Sequence, residues 1–384
     1  MSAFGGAWKR FFNEERDALV LGLLRLSISA LLFFNGLRLV LEFLRGGYFA
    51  DYFHMPLIAE AWLPNHAGYG LLLALQALAA LCAFFGLWPR ESLFTASSLG
   101  LYLLLCDRLQ YHNNRYALLL LAFLLAFTPC DRSFVLVRGR QHTLPREQRI
   151  APTFARRLFQ IQVSLIYLGS TAGKLFDADW RSGQVLFMRY ARAAELIARQ
   201  GHPLPAWVLV VFTSTWFASL AAKAAICGEL SIALGMWVPR VRRLALWLGV
   251  VFHISIELTA NVELFSWLML AAYFAFVTPE VRERRFEFAV GNARAERLAR
   301  FVQLFDWCAR FERSSLAPAG AHEARSTTTE GAAFYVTNRE GRRASGALGM
   351  AQLAEAIPLL FPLWLPLSLY AKLTTKRGAA ASSA

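Results

Sequence analysis

The stretch YLGSTAGKLFDADWRSG, residues 167–183, sets a single lysine, Lys174, at the end of an apolar run, and Asp177, Asp179 and Trp180 come directly after it. A lysine partly withdrawn from water loses its proton more readily, because burial disfavours the ammonium. The neutral amine could then take a proton from a weakly acidic hydroxyl such as that of a quinol. Carboxylates at Asp177 and Asp179 would oppose this by favouring the charged form. A second reading competes: lysines near the ends of apolar helices stretch toward lipid headgroups, and Trp180 is a common residue at that boundary.

Two more polar clusters interrupt apolar sequence. The first, DRLQYHNNR from Asp107 to Arg115, joins two short apolar runs and carries His112, Asn113 and Asn114. Those runs hold about 14 residues each, roughly 21 Å of helix against about 30 Å of hydrocarbon. Either the bilayer thins there, or the helices continue and carry Asp107 and its neighbours into it, where ionisable groups usually face an interior cavity. The second, FHISIELTANVELFSWLML (residues 252–270), spaces His253, Glu257 and Asn261 four apart, on one face of a helix. A histidine in such a helix is either a satisfied structural group or a member of a site.

The elements that must position these groups can be read from composition. Of 384 residues, 57% are hydrophobic and 17% charged, and the mean hydropathy is +0.40. Soluble domains run at about 45–50% apolar and about 25% charged, so this is the balance of a membrane protein. Eight apolar segments fit the pattern: 19–44, 69–88, 92–106, 116–129, 159–174, about 206–238, 244–259 and 262–278. The sixth is too long for one straight helix and is predicted to break near Lys223. Arginines crowd the ends of alternate loops: Arg10 and Arg16, then Arg132 to Arg157, then Arg240, Arg242 and Arg243, then Arg282 to Arg285. By the positive-inside rule those loops are cytoplasmic, as are both termini, in the plasma (inner) membrane. Segment 181–199, with four arginines, runs against the rule. All three polar clusters then fall on the outer side. From Arg157 to Lys174 is roughly 25 Å at helical rise.

The formal charge of +14 is therefore a topology signal, and no nucleic-acid groove is expected. Five scattered cysteines form no CxxC pair and the histidines no HxxxH, so neither a disulfide frame nor a metal site is predicted. Residues 1–16 read as an amphipathic lead and 17–280 as the transmembrane domain. Residues 281–384 read as a cytoplasmic tail: a charged helix (282–313), a linker (317–332), and from Phe334 a strand, a turn and an apolar, proline-bearing interfacial helix.

The same clusters resemble the vitamin K-dependent gamma-carboxylases and their bacterial relatives with an HTTM (horizontally transferred transmembrane) domain, over roughly residues 15–280. YLGSTAGKLFDADWRSG resembles the family segment in which a tyrosine-bearing helix leads to a lysine and then D-x-D-W-x-x-G. The resemblance gives Lys174 the part of catalytic base, and YHNNRYALLLLAFLLAF and FHISIELTANVELFSWLML give His112, Asn113 and His253 supporting parts. Ser266 stands where the family tends to have proline. Carboxylases of this family use a reduced vitamin K-type quinone, O2 and CO2, and no metal. The lysine deprotonates the hydroquinone, oxygenation yields a strong base, and CO2 adds to the carbanion of a peptide glutamate. Their large substrate-binding domain has no counterpart in the roughly 100 residues after 280. The tail from Phe334 resembles the end of a thioredoxin-like thiol oxidoreductase domain, without its CxxC.

The expectation is thus an all-α, polytopic membrane protein of about eight helices with a small tail. It would be a quinol-dependent oxygenase or carboxylase-like lyase whose outer-leaflet site acts on a peptide or small molecule. Lys174, His112 and His253 would be catalytic, and Asp107, Asn113, Asn114, Asp177, Asp179, Trp180 and Asn261 would line the substrate site. The alternative is a non-catalytic maturation or immunity partner of a secreted peptide. A transporter is disfavoured because no repeat of broken helices is evident.

Overall fold

A computed structural model describes residues 3–46, 54–136, 143–199, 201, 205–260, 262, 264–316 and 332–382. They divide into two compact units, Met1–Val277 and Thr278–Ala384.

The first unit is helical. After α1 (Ala3–Asn13) come α2 (Leu19–Leu44), α3 (His66–Phe85), α4 (Pro89–Leu105) and α5 (Asn113–Ala126). These four pack as sequential neighbours. A one-turn α6 (Arg146–Arg149) precedes α7 (Phe154–Phe176), α8 (Ala178–Ser182) and α9 (Gln184–Arg199). Next in the chain are α10 (Ala206–Phe212), α11 (Thr215–Gly235), α12 (Arg242–Ala260) and α13 (Phe265–Ala272), which continues as a 3-10 turn, Tyr273–Phe276. Helix starts and stops obey local chemistry. Asn65 caps α3 by accepting from the Gly68 amide, and Gly86, at φ +83°, ends it in the left-handed conformation that needs no Cβ.

Each of the eight apolar segments holds a helix. Three of them, α2, α3 and α11, are by themselves long and apolar enough to cross a membrane. The others are shorter or less apolar, as α4 and α5 are at 17 and 14 residues. The sixth segment does break, but at Thr213–Ser214 between α10 and α11 rather than near Lys223. Lys223 is exposed on α11 and, as a good helix former, does not interrupt the backbone, whereas Ser214 lies extended at the α11 N-cap.

Packing explains the hydropathy. On α3, Leu73, Gln76, Ala80 and Ala83 are buried while Leu71, Leu75 and Leu78 are exposed. An exposed leucine row at helical spacing is costly in water and ordinary in lipid. The loop end of the unit is held by polar contacts. Strand β1 (Glu15–Asp17) pairs antiparallel with β2 (Ile150–Pro152). The buried Arg149 grips Asp17 with two bonds of 2.8 and 2.7 Å, and Asp17 also accepts from the Leu19 amide at the head of α2. Arg156 and Gln160 of α7 both donate to the Ala275 carbonyl, at 2.8 and 2.7 Å, satisfying a helix end that would otherwise be orphaned.

The second unit corrects the expected charged helix at 282–313. The segment is a βαβ crossover: β3 (Arg284–Ala289), α14 (Ala293–Phe305) and β4 (Phe311–Leu316), with β3 and β4 parallel. Strands β5 (Phe334–Thr337) and β6 (Arg343–Ala344) add antiparallel, giving the order β4-β3-β5-β6. Helices α15 (Gly346–Ala356) and α16 (Trp364–Ser382) complete the unit. Phe286, Val302, Phe311, Val336, Leu353 and Ile357 form its core.

Candidate functional site

Helix α7 places Tyr167, Thr171 and Lys174 at i, i+4 and i+7, one face, with Ser170 beside them. Helix α11 packs on α7 and buries Ala218, Ala222, Ile226 and Glu229 along its own seam. The two faces meet at Lys174. Its Nζ donates to Glu229 Oε1 and Oε2 at 2.6 and 2.7 Å and to Ser170 Oγ at 2.6 Å. The Lys174 side chain is 14% exposed and that of Glu229 6%. Removing either partner would strand the other charge out of water.

The residues just after Lys174 serve local architecture. Asp177 caps α8 by accepting from the Asp179 and Trp180 amides. The Arg181 guanidinium closes the end of α7 on the Leu175 carbonyl at 2.7 Å. Gly183, at φ +88°, ends α8 where a Cβ would lie 2.4 Å from the Ser219 amide nitrogen of α11, so only glycine lets the turn approach. This short helix lays the Trp180 ring over Lys174, with Nζ 5.0 Å from its centroid, a cation–π distance. Asp177 and Asp179 are exposed. The carboxylate paired with Lys174 is Glu229, 55 positions along the chain.

Two turns below Lys174 on the same face lies a second buried group. The Tyr167 hydroxyl bonds His253 Nε2 of α12 at 2.5 Å and the hydroxyl of Tyr273 after α13. Tyr167 and His253 are 1% and 0% exposed. Gly249 makes the arrangement possible, because a Cβ there would sit 2.2 Å from the Tyr273 hydroxyl. Thr171 Oγ1, His253 Nδ1 and Glu257 Oε2 are among the buried polar atoms with no hydrogen-bond partner among the described residues.

The other sequence candidates lie elsewhere. His112 and Asn113 are exposed, and His112 caps α5 by accepting from the Asn114 amide at 3.3 Å. Asn114 donates to the Val262 carbonyl at 3.1 Å, which ties this cluster to the turn after α12. Asp107 is buried but accepts from the Met55 and Leu109 amides and pairs with His54, so it fastens the 54–55 segment. Asn261 lies outside the described residues. Glu229, Ser170 and Tyr273 were not anticipated from the sequence. Glu229 did carry a signal, as the single carboxylate within the apolar run TWFASLAAKAAICGELSIALG.

The described residues include no group of three or more His, Cys, Asp or Glu that could hold a metal. Neither a curated protein nor a solved structure matches the sequence. The family model of the HTTM domain matches residues 13–280, the whole helical unit apart from most of α1. With that match over most of its length, the chain belongs to the HTTM domain family of membrane proteins.

Proposed function

We propose that the Lys174–Glu229 pair is the base of a carboxylase-like membrane enzyme that deprotonates a lipid quinol. The observation that carries this reading is the ion pair itself, 2.6 Å long and largely buried. An ammonium has no lone pair, so in the ionised pair the proton acceptor is Glu229, and Lys174 balances the oxyanion that forms. If Lys174 first passes its proton to Glu229, the pair is neutral and the amine accepts. In both cases the pair takes up one proton where hydration is poor, so the charge of Lys174 acts at full strength.

The surroundings suit a flat aromatic diol. The Trp180 indole offers a face beside the ammonium, and Thr171 Oγ1 and His253 Nδ1 are buried polar atoms in want of partners. Tyr167, itself bonded to Tyr273, holds the His253 ring from its Nε2 side, leaving Nδ1 for a ligand oxygen. When bound, a reduced quinone would supply with O2 the strong base that such chemistry needs, and CO2 would be the group added to a peptide or small-molecule acceptor. The loop arginines favour the inner membrane with both termini in the cytoplasm and Lys174 toward the outer leaflet, with the five shorter or less apolar helices completing the crossings.

Purified protein in liposomes, given a reduced vitamin K-type quinone, should consume oxygen. Lys174→Ala should abolish that uptake while the protein still inserts. Failure of the wild type both to bind quinones and to consume oxygen would overturn the enzyme.

A second reading has one observation in its favour: Lys174 is already fully engaged, by Ser170 and both oxygens of Glu229. On that reading the pair staples α7 to α11 in a non-catalytic maturation or immunity partner. Lys174→Arg separates the two, since guanidinium keeps the charge but is no tunable base. A tolerated arginine favours the staple.

A further inference from the structure

At the other end of α7 from Lys174 an open cleft of about 750 Å³ is lined by Lys9, Arg10, Phe11, Asn13, Glu14 and Arg157. Helix α1 builds one wall and is amphipathic by construction. Its Phe12 is buried, and Phe11 packs on Trp237 at 5.8 Å, while Lys9, Arg10 and Asn13 are exposed. Arg157, from the first turn of α7, stacks its guanidinium 4.3 Å above the Phe11 ring and donates to the Phe11 carbonyl at 3.2 Å. The one lining carboxylate among the described residues, Glu14, is committed: Arg16 reaches it at 2.7 Å and Arg157 at 3.1 Å. Lys9 and Arg10 have no carboxylate partner among the described residues. Three cations thus face a single carboxylate already shared by two arginines.

An unbalanced positive cleft beside an amphipathic helix, where Trp8 is 57% exposed, has the chemistry of an anion site at a bilayer surface. The apolar face of α1 sets the depth, and the cations are left to meet a phosphate at headgroup level. We propose that this cleft binds the phosphate of an anionic lipid headgroup, in the leaflet opposite the one Lys174 approaches. The lipid would fix α1 against α7 and so the depth of α7 in the bilayer. Nothing in this depends on the chemistry at Lys174.

The test uses the full chain in nanodiscs holding phosphatidylglycerol and phosphatidylcholine in equal amounts, extracted gently and weighed intact by native mass spectrometry. Wild-type protein should retain phosphatidylglycerol in preference to phosphatidylcholine. The Lys9→Gln/Arg10→Gln variant should retain at least about fivefold less, as expected for two cations near an anionic surface. A Lys9→Arg variant should retain it as the wild type does, and millimolar inorganic phosphate should not displace it. Equal retention of both lipids, or unchanged retention in the double variant, would overturn the proposal. Displacement by inorganic phosphate would also overturn it, by assigning the cleft to a soluble phosphate ligand.

Discussion

The two ends of helix α7 carry the same device in different surroundings. At its start Arg157 pairs with Glu14 at 3.1 Å, and at its end Lys174 pairs with Glu229 at 2.6 Å. The Glu14 side chain is 41% exposed and that of Glu229 6%. Water screens the first pair, whose worth is the usual small sum of an exposed bridge. The second pair has lost its water, so each charge depends on the other and the pair as a unit can be asked to take a proton. Distance hardly separates the two ends. Burial of the carboxylate does, since the two cations are alike at 11% and 14% exposed, and it makes one an anchor point and the other a candidate for chemistry.

The sharpest way to break that contrast is at Glu229. Glu229→Ala leaves the Lys174 ammonium without its carboxylate and should destabilise the protein by on the order of 3 kcal/mol, read as a lowered thermal midpoint in detergent. Glu229→Gln keeps the shape, and should lower quinol-dependent oxygen uptake at least about a hundredfold if the pair is the base. Uptake as high as in wild type would leave Glu229 as packing. Next in size is Tyr167→Phe, which strips His253 Nε2 of its partner in a dry interior. The expected loss is about 1–3 kcal/mol, with weaker quinone binding measured by tryptophan quenching. Gly249→Ala should cost about as much, because the new methyl occupies the place of the Tyr273 hydroxyl.

The smallest effect belongs to the exposed end. Burial tends to raise the Glu14 carboxyl, but Arg16 and Arg157 outweigh it and hold the group below its ordinary range. A carboxylate so held adds stability above that ordinary range and loses it as the pH falls through the lowered value. Acidification through and below the ordinary carboxylate range should therefore remove the Glu14 contribution, less than about 1 kcal/mol, and Glu14→Gln should show no such loss. A stability loss on Glu14→Gln as large as that on Glu229→Ala would undo the comparison.

Much of the helical unit was legible because an apolar run of fixed length leaves the backbone little choice but a helix. Lys174 was legible too, as a charge at the end of such a run. Its partner was hard to read, because the contact spans 55 residues and depends on which faces of α7 and α11 meet. Asp177 and Asp179 stand nearer in sequence and draw attention for that reason, yet Asp177 spends its carboxylate on the first turn of α8. The break in the sixth segment was misplaced because a lysine looks like an interruption, when Lys223 only marks an outer face. In the tail, the charge of residues 282–313 masks the alternation of RRFEFA, in which Phe286 is buried between exposed or half-buried neighbours. That two-residue period is a strand signal.

The β1–β2 clasp has a bearing on how the chain is made. Glu15–Asp17 finds its partner only in Ile150–Pro152, and Arg149 completes the grip. A ribosome adds about 5–20 residues per second, so the head of α2 waits on the order of ten seconds before its latch exists. Helices α2 to α5 emerge during that pause, and whatever inserts them must shelter an unlatched first helix until the loop before α7 arrives.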